Sequence, residues 1–283
     1  RALFAMTSSG VLSFAAAPDF ETPGDVGSNN VYDITVQVSD GVLTDSQAIS
    51  ITVGDAFEGR VVDAPISGAS VFVDLNGNNE PDEGEPSGTT DANGFFSVDT
   101  FTPTAGTAAK VISKGGTDTK TGKALPDLAL ISDVPADLTK SANVTPLTTV
   151  VASVDTPAAK AAVLTAMGIT GSPEDLLTND GWAAAEAGDE NAKANQRVNQ
   201  QVGLLLQTAA TVVDDGNADT DVSVQLAKAV ATQISTAAVS AEGVDLSSSN
   251  TLNAVLVSVI ADVVPDAVIS VDAISAIAAS VAA

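Results

Sequence analysis

All eight phenylalanines of the chain lie between Phe4 and Phe101, together with its one tyrosine, Tyr32; beyond them the only aromatic side chain is Trp182. From Thr145 onward Ala, Val and Ser take over. Aromatic and β-branched residues suit half-buried sheet faces, whereas Ala-rich sequence suits closely packed helices. This division predicts a multidomain α+β protein, with β-sandwich modules in front and an α-helical bundle behind. A chain of 283 residues has room for two or three domains with cores of their own.

The local patterns follow the same division. Within residues 1–56, Val31 to Val38 and Gln47 to Val53 alternate polar and apolar residues, and Ser39-Asp40-Gly41 between them reads as a turn. Gly10 to Phe14 reads as a shorter strand. Residues 57–132 form a second β module, in which Ala69 to Val73 and Gly94 to Val98 have strand composition. Residues 133–150 read as a linker that ends in a helix start at Thr145-Pro146. The rest, 151–283, is expected to be helical. Pro157 to Met167 stops at Gly168, and Asp189 to Val213 carries a stripe through Val198, Val202, Leu205, Leu206 and Ala209. Asp221 to Val239 repeats that stripe with Val222, Leu226, Val230 and Ile234. Further helices are expected from Ser249 to Val264 and from Asp266 to Ala282. The acidic loop Asp214 to Asp221 reads as an N-capping turn, with a second cation site as the alternative.

The strongest chemical signal is residues 74–85, Asp-Leu-Asn-Gly-Asn-Asn-Glu-Pro-Asp-Glu-Gly-Glu. With Asp74 as the first position of a twelve-residue calcium loop, Asn76, Asn78, Asp82 and Glu85 fall on the remaining side-chain positions. Glu80 falls where a backbone carbonyl is used, and Glu85 where a bidentate carboxylate closes the shell. A hard cation takes about six to eight oxygens, which the loop supplies. The sharp turn at the sixth position normally needs Gly. Here it is Asn79, which tolerates a left-handed backbone. The competing reading is a solvated acidic turn. Because strands flank the loop, an ion there is expected to rigidify it, not to open a groove between helices.

Two resemblances extend this reading. Leu3-Phe4, Gly10-Val11-Leu12, Asp19-Phe20-Glu21, the alternation from Tyr32 to Asp40, and Ile51-x-Val53-x-Asp55 resemble the second half of a bacterial cadherin-type repeat, a calcium-dependent extracellular sandwich. That resemblance implies calcium roles for Asp19, Glu21, Asp40 and Asp55. The chain departs from the family's linker at Phe57 and lacks the repeat's first strands. A half-sandwich leaves strand edges to be covered by preceding residues or by a neighbouring subunit. Next, Gly59-Arg60-Val61, Pro65-Ile66-Ser67-Gly68-Ala69, the strand into Asp74, and Thr90-Asp91-Ala92-Asn93-Gly94-Phe95 resemble prealbumin-like B-type repeats of bacterial surface adhesins. That family carries its calcium loop at the position of 74–85. Asp91 either adds an oxygen or closes its own turn with Gly94.

Composition sets the remaining limits. The chain has 11 basic and 36 acidic residues, a formal charge of −25, and neither His nor Cys. The charge argues against nucleic acid and anionic lipid as partners and favours cations, although acidity alone also confers solubility. Without His and Cys there is no Ser-His-Asp triad and no thiol chemistry, and no glycine-rich phosphate cradle is present. The apolar stretch from Leu252 is broken by Asp262, Pro265, Asp266 and Asp272, so no membrane span is expected. Starting at Arg1 with no leader, the chain reads as part of a longer or processed product. The expectation is a non-enzymatic, calcium-binding segment of an extracellular bacterial surface adhesin or matrix protein, engaged in self-association or in contacts with other surface proteins. A subunit of an extracellular filament or surface layer is the alternative, and an accessory module of a secreted hydrolase a third.

Overall fold

The computed structural model describes residues 3–104, 106–213, 220–238, 246 and 248–263. The expected helix from Asp266 to Ala282 and most of the loop from Asp214 to Asp221 lie outside them. The described residues form a mixed α+β structure in two compact units, Arg1–Ala56 and Phe57–Ala283.

The first unit is built of two hairpins. Strands β1 (Phe4–Met6) and β2 (Leu12–Phe14) pair antiparallel, as do β3 (Val31–Ser39) and β4 (Thr44–Thr52), whose register sets Val31 opposite Thr52 and Ser39 opposite Thr44. Its core is an aromatic trio. The Phe4 and Phe14 rings lie 4.5 Å apart, and each meets Tyr32 edge-on. The Tyr32 hydroxyl accepts the Gly24 N–H at 3.0 Å, which satisfies the polar end of a buried ring. Away from the trio, Val38, Val42 and Leu43 at the turn end of the β3–β4 hairpin stay exposed.

Among the described residues the second unit carries three small sheets. The largest orders β12 (Ala129–Asp133), β10 (Lys110–Lys114), β7 (Ser70–Asp74) and β8 (Ser87–Thr89), all antiparallel. A second orders β13 (Ala142–Val144), β5 (Ala56–Val61) and β9 (Phe95–Asp99), with β13 parallel to β5. Strands β6 (Ile66–Ser67) and β11 (Thr117–Asp118) make a two-residue pair. Gly59 marks how closely β5 approaches its neighbours: a Cβ there would lie 2.2 Å from the Ala142 carbonyl oxygen and 2.3 Å from the Phe96 ring.

Half of residues 133–150 lie in regular elements. They supply the end of β12, all of β13 and most of helix α1 (Pro146–Ala152). Thr145 caps α1 in a reciprocal capping box with Thr148, and Pro146 opens the helix, as the sequence expects. The Thr148 hydroxyl donates to the Ile131 carbonyl, and the Thr149 hydroxyl accepts the Ile131 N–H, so α1 is pinned to β12.

Helices α2 (Pro157–Ala166), α3 (Pro173–Thr178), α4 (Gly181–Glu186), α5 (Glu190–Val213), α6 (Thr220–Ala238) and α7 (Ser249–Val263) follow. The stripes of α5 and α6 are buried at Val202, Leu205, Leu206 and Ala209, and at Leu226, Val230 and Ile234. One apolar cluster runs from Phe57, Phe72 and Val111 through Leu147 and Val150 to Leu205, Ile234 and Leu256. Sheets and helices of this unit therefore share a single core. No helix of the described residues is long and apolar enough to cross a membrane.

Candidate functional site

Strand β7 ends by carrying Asp74 into the interior, where its carboxylate is 0% exposed. A buried carboxylate is tolerated only when its oxygens are satisfied. Asp74 Oδ1 accepts the N–H groups of Asn76 (3.2 Å) and Gly77 (2.6 Å), and Oδ2 accepts that of Asn79 (2.9 Å). The chain thus curls around this one side chain. Asn79 is at φ +69°, the left-handed turn expected of the sixth loop position.

The same device repeats at alternate residues. Asn76 Oδ1 accepts the Asn78 N–H at 2.9 Å, and Asn78 Oδ1 accepts the Glu80 N–H at 2.8 Å. At the far end Glu85 closes the loop: Oε1 accepts the Leu75 N–H at 2.7 Å and Oε2 the Asp82 N–H at 3.1 Å. Asp82 Oδ2 takes the amide NH2 groups of Asn76 (2.6 Å) and Asn78 (2.7 Å). The structure therefore links Asp74, Asn76, Asn78, Asp82 and Glu85 in one hydrogen-bonded loop. The Glu80 side chain pairs instead with Lys114, 3.6 Å away, and the backbone carbonyl is what the loop scheme asks of Glu80.

Chemically the donor set is three carboxylates, two amide oxygens that each keep a second lone pair, and a carbonyl. Such an all-oxygen set suits a hard cation such as calcium and offers nothing to a soft one. Among the described residues no three carboxylates gather on one point. Here the two asparagine NH2 groups occupy Asp82, and a cation entering the loop has to displace them.

Two lysines flank the loop, and the sequence gives no sign of either. Besides Lys114, Lys228 of α6 donates from Nζ to Asn79 Oδ1 at 2.5 Å. Partial burial pushes the Lys228 ammonium below its ordinary pKa; the charge of Asp74 opposes that shift, and Lys110 adds to it.

The other candidate carboxylates act locally. Asp19 Oδ1 accepts the N–H groups of Glu21 and Thr22, and Asp55 Oδ1 that of Ala56. Asp40 Oδ1 accepts from Leu43 (2.7 Å) and Val42 (2.9 Å), which hold its carboxyl below the usual range. Asp91 Oδ1 accepts from Asn93 and Phe95, closing the turn that ends at Gly94.

A further carboxylate gave no signal in the sequence. Asp63 sits almost fully buried against helix α5, where a Cβ on Gly203 would lie 2.3–2.5 Å from its carboxyl atoms. Burial, then the nearby charge of Asp118, pushes its pKa up to about 7, against a hydrogen bond from Gln207 at 3.1 Å. No known protein family, curated protein sequence or solved structure matches the chain.

Proposed function

We propose that the chain is a non-enzymatic structural segment of a secreted bacterial surface adhesin or matrix protein, stiffened by calcium held in the loop Asp74–Glu85. The observation that carries this reading is the Asp74 carboxylate. It is buried at a strand end and encircled by backbone N–H groups from a loop whose other oxygens recur at alternate positions. Under this reading the two larger sheets of residues 57–144 are the faces of a prealbumin-like sandwich, and the helices are a bundle docked on it. An ion that binds the folded loop stabilises it by RT ln(1 + [L]/Kd), about 2.7 kcal/mol at one hundred times Kd. External calcium near 1 mM is of the order that loosely bound extracellular sites require. Thermal melting with millimolar calcium and with chelator tests the reading. A rise in Tm with calcium is expected, and identical curves refute it.

A second reading is favoured by the exposed Val38, Val42 and Leu43 at the turn end of the β3–β4 hairpin. Two-stranded sheets with apolar side chains in water pair readily with further strands. On that reading the chain is a self-assembling subunit of an extracellular filament or layer. Light scattering across a concentration series separates the two, because a monodisperse monomer at high concentration refutes assembly.

A further inference from the structure

Between β13, α1 and helices α3 to α5 lies a cavity of about 290 Å3, at the small end of the range for ligand pockets. Leu147, Ile169, Leu176 and Trp182 give it apolar wall, and Asn143, Asn191, Asn195, Gln196 and Asn199 supply amides. No lysine or arginine lines it among the described residues.

The amides are fixed but only partly used. Asn195 is engaged at both ends, accepting the Thr170 N–H and donating to the Thr170 carbonyl, and so holds one wall in place. Asn143 donates to the Asn179 carbonyl at 2.7 Å, which leaves its Oδ1 with no partner among the described residues. Asn199 Oδ1 accepts the Leu147 N–H at 3.1 Å, leaving its NH2 likewise. Gln196 donates to the Asp63 carbonyl at 3.0 Å, leaving its Oε1. Asn143 and Asn199 are 6% and 4% exposed, so these are polar side chains buried almost to the limit and oriented by one bond each. None of the three spare atoms is sealed from solvent without a partner; they open onto the cavity, where a ligand can supply the bonds that water otherwise makes.

We infer that this cavity binds a neutral sugar, a monosaccharide or the terminal unit of a longer glycan. A sugar hydroxyl both donates and accepts, which matches fixed amides that offer two acceptors and one donor. The apolar wall with the Trp182 indole suits the C–H face of a sugar ring. Anionic ligands are disfavoured, since no basic side chain lines the cavity and Asp175, Asp180 and Asp189 do. Those three carboxylates are held as helix caps: Asp175 by Ser172, Asp180 by the Ala183 N–H and Arg60, and Asp189 by the Ala192 N–H.

Trp182 is the only tryptophan of the chain, so its fluorescence reports on this cavity and on the Lys120 ammonium 5.5 Å from its ring centroid. The test titrates the full chain with glucose, galactose, mannose, rhamnose and N-acetylglucosamine, with glucuronate and inorganic phosphate as anionic controls. Saturation-transfer NMR on the same sugars is the second readout. At least one neutral sugar is expected to give a saturable change with a dissociation constant on the order of 1 mM. The anions give none. Ala192→Phe on α5 and Ala184→Leu on α4 add bulk to the cavity lining, and each is expected to weaken that binding at least tenfold with the helical circular dichroism retained. Binding is also expected to survive calcium chelation, because no residue of the 74–85 loop lines the cavity. Absence of a saturable response to every sugar in both readouts overturns the inference. So does undiminished sugar binding in a folded filling variant.

Discussion

Lys228 Nζ lies 2.5 Å from Asn79 Oδ1, which ties the middle of helix α6 to the turn of the acidic loop across 149 residues of sequence. The contact places a positive charge beside the Asp74 carboxylate, where a divalent cation would add two more. Ammonium and cation therefore compete for the same negative field. Lys228→Met is expected to tighten calcium binding on the order of fivefold, about 1 kcal/mol for removing one like charge from a partly screened site. Titration calorimetry at low and at 0.5 M salt checks this, and the gain should shrink as salt screens the repulsion.

Two substitutions within the loop separate ion binding from loop folding. Asp74→Ala strands the N–H groups of Asn76, Gly77 and Asn79, so it is expected to lose about 3 kcal/mol even in chelator. Glu85→Gln keeps the side chain's shape and an acceptor for Leu75, yet removes the closing charge. It should cost about 1 kcal/mol in chelator and abolish the calcium-dependent rise in stability. Denaturant titrations of the three proteins with and without calcium provide the comparison.

Asp63 gives the fold a pH dependence of definite sign. Its folded pKa of about 7 lies above its ordinary 3.8, so the folded protein holds the proton more tightly than the unfolded chain. Its contribution is therefore most favourable below pH 4 and is lost progressively as pH rises to about 7, by an amount on the order of 4 kcal/mol. Asp63→Asn removes the titrating group while keeping an acceptor for Gln207. The variant is expected to be more stable than the parent at pH 8, with the difference vanishing toward pH 4. Urea unfolding at several pH values measures it, and parallel curves for parent and variant would rule out the assignment.

Gly59→Ala tests the parallel β5–β13 contact. The added methyl meets the Ala142 carbonyl and the Phe96 ring well inside van der Waals distance, and neither backbone nor buried ring has room to retreat. A loss of roughly 3 kcal/mol is expected from overpacking. Ala substitution at Gly84, where nothing lies nearby, should cost less and reflect only the strain of φ +93°.

The shape of the loop at 74–85 was legible because its Asx residues recur at fixed local spacing. Each Asx oxygen captures an N–H two or more residues ahead, so Asp74, Asn76 and Asn78 shape the backbone with no help from distant chain. The long helices α5 and α6 were legible through their apolar stripes, and α1 through Thr145-Pro146. Residues 133–150 read as a linker because β13 is three residues long and shows no periodicity. Its register comes from β5, at Gly59 to Val61. The cavity amides were hidden for a similar reason: Asn143, Gln196 and Asn199 are unremarkable in sequence, and become a set only where β13 and α5 line one cavity.

By itself, then, the sequence determined where sheet gives way to helix and where the oxygen-bearing side chains of the 74–85 loop recur, since both depend on residue type and short-range spacing. Only the tertiary structure decided that the helices share the sheets' core, that Lys228 reaches Asn79, and that Asp63 loses its water against Gly203. Those outcomes depend on which surfaces exclude solvent together. Burial is a property of contacts between distant segments, and no local pattern encodes it.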